Sequence, residues 1–280
     1  MMYTVGSVPY LNAKPLVRLF EDLGDESPVK VVYEVPSLLP AMLASGAVQA
    51  IMVSSIEALR HRGTRVAAGV CIGTQREVLS VRIFSKVPPG KIRSLALDQS
   101  SMTSNALAQI VLMDGYSVMP TMAPLPPNLN EMLKDHDACV LIGDNGMREQ
   151  GEGLYILDLG LEWFELTGRP FVWAVWLGDE GLTPDLAGWL NAAEREGGRR
   201  MDAIVADAPG HTGLSPELCD HYLRDIMHYP MHEQELAGLQ EFGRLLSKHG
   251  LLEPIHWPEI VEPSGSDDWL PEPEVSTAIP

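Results

Sequence analysis

No uninterrupted apolar run in the sequence approaches the roughly 20 residues that a membrane-spanning helix needs. Basic residues are also scarce: Lys and Arg number 20 against 38 Asp and Glu, a formal net charge of −18 over 280 residues. Nucleic-acid binding needs a basic face, and anionic membrane surfaces attract basic segments. Both are therefore excluded as partners. A small anion remains compatible, provided helix termini and a few local donors receive it. The cysteines are only Cys71, Cys139 and Cys219, far apart, which fits reduced thiols. Cys71 and Cys139 lie in apolar runs and read as small core residues. The sequence has no glycine-rich phosphate loop and no Gly-x-Ser-x-Gly, so no nucleotide cofactor is expected. No histidine occurs between His136 and His211. His221, His228 and His232 lack a recognised ligand spacing, and Pro230 interrupts them, so no metal is expected. A first strand beginning at Tyr3 leaves no room for a signal region, and a cytoplasmic location is expected.

What is present is an ordinary globular composition, 45% hydrophobic and 21% charged, on a chain long enough for one large α/β domain or two lobes. The organising stretch is at the front. Tyr3 to Val8 reads as a short buried strand, and Leu16, Leu19, Phe20 and Leu23 recur at helical spacing, so a helix is expected from about Ala13 to Leu23. The turn between them holds Ser7, Pro9, Tyr10 and Asn12. Ligands of open α/β sheets sit at such strand-to-helix turns, where N–H groups and partial positive charge converge. Asn12 could equally cap the helix.

The alternation continues through a strand at Val29 to Val35, a helix ending near Gly46 and a buried strand at Ala50 to Val53 that delivers Ser54 and Ser55 to a second turn. It predicts a parallel sheet with right-handed crossovers. Val66 to Ile72 and Val78 to Phe84 are strand-like. Pro88-Pro89-Gly90 cannot continue a central strand, so a crossing into a second lobe is expected there. A strand at Ser94 to Leu97 then leads into a helix opened by Ser100, Ser101, Thr103 and Ser104. One of these hydroxyls suffices as a cap; four suit a carboxylate or phosphate as well. Ser117 to Met122 reads as a weak strand before a Pro-rich loop at Ala123 to Pro127. The strong strand Ala138 to Ile142 ends in a polar tip, Gly143-Asp144-Asn145-Gly146. Phe171 to Leu177 is another strand, running into Gly178 to Gly181, where the return crossing is expected. The remainder reads as helical, with starts at Thr183-Pro184 and Ser215-Pro216 and a loosening at Gly197-Gly198.

These elements divide into lobe 1 (1–86 and 178–262), lobe 2 (87–177) and an acidic, Pro/Ser-rich tail (263–280) expected to be loosely ordered. Two crossings with both termini in one lobe describe a hinged, binding-protein-like α/β architecture. Its four polar turns would face one another across a cleft.

Ser7 to Leu16 (Ser-Val-Pro-Tyr-Leu-Asn-Ala-Lys-Pro-Leu), Ser101-Met102-Thr103-Ser104, Leu141-Ile142-Gly143-Asp144 and Leu159-Gly160…Trp163…Thr167-Gly168-Arg169-Pro170-Phe171-Val172-Trp173-Ala174-Val175-Trp176 together resemble the chorismate dehydratases of the futalosine route to menaquinone. The resemblance implies a type II periplasmic-binding-protein fold and a cytoplasmic lyase without cofactor. It implies the loss of water from chorismate to give 3-[(1-carboxyvinyl)oxy]benzoate. Asn12 and Ser80 match the family's cleft residues and would be catalytic. Ser101, Thr103 and Ser104 match its carboxylate-binding turn, and Asp144 matches its Ile-Gly-Asp tip. Ser54 falls where relatives carry a small hydroxyl, while Ser7 and Asn145 complete the expected binding set from their turns. A homodimer is compatible with this reading. The alternatives are a sister enzyme, which makes a dihydroxynaphthoate from cyclic dehypoxanthine futalosine and relies on a cleft histidine, or a non-catalytic small-anion binder of the same fold. The histidine gap counts against the sister enzyme.

Overall fold

A computed structural model describes residues 2–265. Most of the expected tail therefore lies outside the described residues. The chain first builds β1 (Tyr3–Ser7), β2 (Val29–Tyr33), β3 (Ala50–Ser54) and β4 (Arg65–Thr74). It then leaves for β5 (Val81–Ser85), β6 (Ser94–Asp98), β7 (Thr121–Leu125), β8 (Ala138–Ile142) and β9 (Tyr155–Asp158). It returns with β10 (Phe171–Gly178), β11 (Met227–Met231) and β12 (Glu259–Val261). The larger sheet runs β11-β4-β10-β3-β1-β2 with β12 beside β4, and the smaller runs β7-β6-β8-β5-β9. β1 is parallel to β2 and β3, whereas β10 inserts antiparallel between β3 and β4. The molecule thus has two α/β lobes.

Both lobe crossings differ from the expected ones. β5 pairs with β8 and β9 in the smaller sheet, so the outward crossing is the segment 75–80. Pro88 and Pro89 end β5 and turn the chain toward β6 through the 3-10 turn Pro89–Lys91. They break a strand without changing sheets. β10 belongs to the larger sheet, so the return crossing is at 168–170, where Gly168 (φ 68°) terminates the helix Leu159–Thr167. Composition marks where strands stop. It does not say which sheet a strand joins.

Two further expectations change. The Pro-rich loop carries β7, an edge strand parallel to β6 in which Pro124 loses no ladder bond that an inner strand would need. The C-terminal portion is not wholly helical: β11 pairs antiparallel with β4 at the sheet edge, burying Met227, Tyr229 and Met231 on one face. The helices Pro184–Arg199 and Pro216–His221 do start at the expected caps, with Thr183 accepting from the Leu186 N–H and Ser215 from the Leu218 N–H. Gly197 does not loosen the first of these. A Cβ there would lie 1.9 Å from the Pro15 carbonyl oxygen, so glycine lets the helix pack directly against the turn that bears Asn12.

One apolar core runs through both lobes, from Val5 and Ile51 under the larger sheet to Ile83, Leu95 and Leu107 under the smaller. Cys71, Cys139 and Cys219 are buried and unbridged, as small core residues are. Burial pushes the Cys139 thiol up to about 12, so it is inert as a nucleophile at neutral pH.

Candidate active site

The carboxyl ends of β1, β3, β6 and β8 deliver the polar tips anticipated from the sequence. After β1 the chain forms a 3-10 turn, Leu11–Leu16, with Pro15 inside it, and only then the helix Arg18–Leu23. Asn12 does not cap either element. Its Nδ2 donates to the Tyr222 hydroxyl at 3.3 Å. Tyr222 comes from far along the chain, where the helix Pro216–His221 widens into a π-helical turn, Tyr222–Ile226. The same hydroxyl lies 3.0 Å from Ser80 Oγ. Asn12, Tyr222 and Ser80 therefore meet at the junction of the lobes, joining the first turn, the outward crossing and a C-terminal helix.

Ser80 sits just before β5 in a strained local arrangement. Leu79 adopts a left-handed φ of 58°, and the Ser80 N–H bonds back to the Val78 carbonyl at 2.6 Å. Asp158 holds this turn. One carboxylate oxygen accepts from the N–H groups of Val78 (2.9 Å), Gly160 (3.0 Å) and Leu161 (3.1 Å), and the other accepts from Leu79 (2.7 Å). The residue that caps the helix Leu159–Thr167 thus also fixes the outward crossing. Burial raises the Asp158 carboxyl, while these N–H groups and the charge of Arg82 oppose the rise. On the other side, Gly146 lets the helix Gly143–Arg148 approach Ser80: a Cβ there would lie 2.5 Å from the Ser80 carbonyl oxygen.

The hydroxyl-rich turn after β6 closes against the larger lobe. Ser101 caps the helix Met102–Ile110, its hydroxyl accepting from the Ser104 N–H. Thr103 is buried, and its Oγ1 accepts from the Ile56 N–H at 3.2 Å across the lobes. Beside it, Arg60 donates to the Met102 sulfur at 3.0 Å. Ser54 leads into the helix Ser55–Leu59 without forming a side-chain cap. The hydroxyl oxygens of Ser7 and Ser55 and one carboxylate oxygen of Asp98 are buried without a partner among the described residues. Burial and then the charges of Asp98 and Asp144 push the Tyr10 phenol up. Burial also raises the Asp144 carboxyl against the pull of Arg148. Asn145 is exposed, and its carbonyl accepts from the Glu149 N–H.

Of the expected residues, Asn12 and Ser80 converge through Tyr222, and Thr103 bonds across the lobes to the Ile56 N–H, while Ser101 and Ser104 bond to each other within the helix cap and Ser54 precedes the helix that carries Ile56. Asn145 stands apart on the exposed side of its helix. Tyr222 and Asp158 are the residues that sequence reasoning missed as site elements. In the sequence Tyr222 reads as one apolar position on a helix face, and Asp158 lies within a stretch, Leu154 to Leu159, that reads as a strand. Arg76 lies outside this group: it covers the Phe164 ring at 4.5 Å and pairs with Glu165 at 3.2 Å on an exposed surface.

Tyr222 has a second consequence for the chemistry. Burial pushes its phenol up to about 12, so it stays protonated at neutral pH. An amide, a hydroxyl and a phenol make a site that orients and donates hydrogen bonds rather than one that takes a proton.

Known proteins are similar to this chain in sequence and in fold. The chain is 28% identical to the chorismate dehydratase of Thermus thermophilus over 92% of its own length and 99% of that relative. It is 30% identical to the chorismate dehydratase of Campylobacter jejuni over 60% of its length and 64% of that relative. In fold it is similar to the periplasmic aliphatic sulphonate binding protein of Escherichia coli, with a TM-score of 0.62 at 14% identity, covering 98% of this chain and 97% of that one. The family model described as menaquinone biosynthesis matches residues 3–248. The chain belongs to the menaquinone biosynthesis family, on a scaffold shared with periplasmic binding proteins.

Proposed function

We propose that this protein is a chorismate dehydratase, a lyase that removes water from chorismate to give 3-[(1-carboxyvinyl)oxy]benzoate. The observation that carries the reading is the similarity to a chorismate dehydratase along nearly the whole of that relative. The side chains meeting at the junction of the lobes suit the reaction. A proton leaves ring C3, its bonding electrons enter the ring, and hydroxide leaves C4; aromatisation drives the step. Asn12 and Ser80 hold the enolpyruvyl group and the leaving hydroxyl, and the substrate's own enolpyruvyl carboxylate takes the proton. Catalysis then rests on positioning and on donors aimed at developing charge. Ser101, Thr103 and Ser104, at the amino terminus of the helix Met102–Ile110, receive one substrate carboxylate, with Ser54 and Ser7 completing the wall. Asp144 and Asn145 border the opposite tip. The enzyme works in the cytoplasm.

The test is to mix the purified protein with chorismate, without added metal or nucleotide, and to follow products by chromatography with mass detection. The expected product is lighter than chorismate by one water and absorbs as a benzoate. Unchanged chorismate in the presence of folded protein overturns the reading.

A further inference from the structure

We infer that Tyr222 is a positioning residue that sets the direction of hydrogen bonding at the active site, so that Ser80 faces the substrate as a donor. The inference rests on the dehydratase reading and deepens it. A hydroxyl has one proton to give and two lone pairs. Asn12 Nδ2 can only donate, so at 3.3 Å the Tyr222 oxygen accepts from it. Either oxygen of the 3.0 Å contact with Ser80 Oγ could donate; the phenol proton is assigned to Ser80 because accepting from Ser80 as well would leave that buried phenol proton without an acceptor among the described residues. With an acceptor position occupied, the Ser80 proton points away from Tyr222. Ser80 is itself buried and its N–H is turned back to Val78, so the hydroxyl proton is its remaining donor.

The chain Asn12 to Tyr222 to Ser80 therefore ends in an O–H directed at the substrate. That is what a departing hydroxide requires: negative charge develops on the leaving oxygen, and a preoriented donor stabilises it without reorganising. Without the phenol, the Ser80 hydroxyl could rotate and offer a lone pair instead. Tyr222 is fully buried among these partners. Burial first, and then the charges of Asp144 and Asp158, keep the proton on its hydroxyl, and Tyr229 is the neighbouring phenol. Donation to Ser80 thus persists across the working pH range.

The experiment compares the full chain with Tyr222→Phe, Ser80→Ala and the double variant, using steady-state kinetics on chorismate. Tyr222→Phe removes only the bridging oxygen. Its kcat is expected to fall roughly tenfold or more with KM changed less than about threefold, because the loss is confined to the transition state. In the Ser80→Ala background the same change is expected to cost less than about twofold, because the donor it orients is gone. A Tyr222→Phe enzyme with full kcat, beside an impaired Ser80→Ala enzyme, overturns the positioning role and leaves the dehydratase reading standing. Full activity in Ser80→Ala and Asn12→Ala alike overturns the site assignment and the inference with it. A ring-fluorinated tyrosine incorporated at position 222 keeps the residue's shape and lowers its phenol pKa. It is expected to bring an alkaline limb of kcat down into the measurable range, and it decides the question if Tyr222→Phe does not fold. An unmoved pH profile overturns the inference.

Discussion

The two crossings between the lobes are built in opposite ways. The outward crossing, 75–80, is held by polar contacts. Asp158 fixes the N–H groups of Val78 and Leu79, and the Gln75 amide donates to the buried Glu235 carboxylate at 2.9 Å. Glu235 also closes the capping box at the start of the helix Glu233–Lys248 and lies 3.3 Å from His228 of β11. The return crossing, 168–170, is held by aromatic packing. Trp163 stands edge-on to Phe171 at 5.2 Å, Phe171 stands edge-on to Phe242 at 5.0 Å, and the Trp163 indole donates to the Pro170 carbonyl at 3.1 Å. Apolar packing is stable but indifferent to the orientation of any one group. Hydrogen bonds to a carboxylate fix backbone direction. The crossing that must present Ser80 is the one fixed by direction.

This contrast can be broken at several points. Trp163→Ala should have the largest effect on stability. It empties a fully buried site between three elements and is expected to cost about 3–5 kcal/mol in denaturant unfolding. Any protein that remains folded should retain much of its kcat. Asp158→Asn should do the reverse. An amide keeps one acceptor and turns N–H groups toward N–H groups, at a stability cost of about 1–3 kcal/mol. Turnover should fall further than that loss implies, because Leu79 and Ser80 lose their fixed geometry. A kcat equal to that of the unmodified enzyme would show that Asp158 does no more than cap its helix. Arg76→Ala should have the smallest effect. Its contacts to Phe164 and Glu165 are on an exposed surface, where such pairs contribute less than about 1 kcal/mol, so stability and kcat should both stay close to their original values.

Much of the local layout of both lobes was legible in the sequence. The buried runs of β3, β8 and β10 stand out by their Val, Ile, Leu and aromatic content, and the strand tips after β1, β3, β6 and β8 were all read as polar turns. The crossings were not legible. Pro88-Pro89 and Gly178 to Gly181 carry the strongest local breaking signals, yet the chain changes sheets at segments with weaker ones. Sheet membership depends on which distant strand completes the ladder. β11 did carry a usable signal, since Met227, Tyr229 and Met231 alternate with polar residues. His228 and Pro230 obscured it, although proline is tolerated at an edge. The Ser101 cap could be anticipated from sequence, but Thr103 bonding to the Ile56 N–H could not, because that contact joins lobes 47 residues apart in sequence.

By itself the sequence determined the α/β class, the order of most strands, the caps that begin its helices and the residue types offered at the ends of its strands. These depend on local propensity, period and turn chemistry, which neighbouring residues supply. Only the tertiary structure decided that Tyr222 bridges Asn12 and Ser80, that one carboxylate at Asp158 serves both a helix cap and a crossing, and where the two lobes divide. Each of these is a hydrogen-bond pairing between segments far apart in the chain, and its partner is chosen by packing rather than by sequence neighbours.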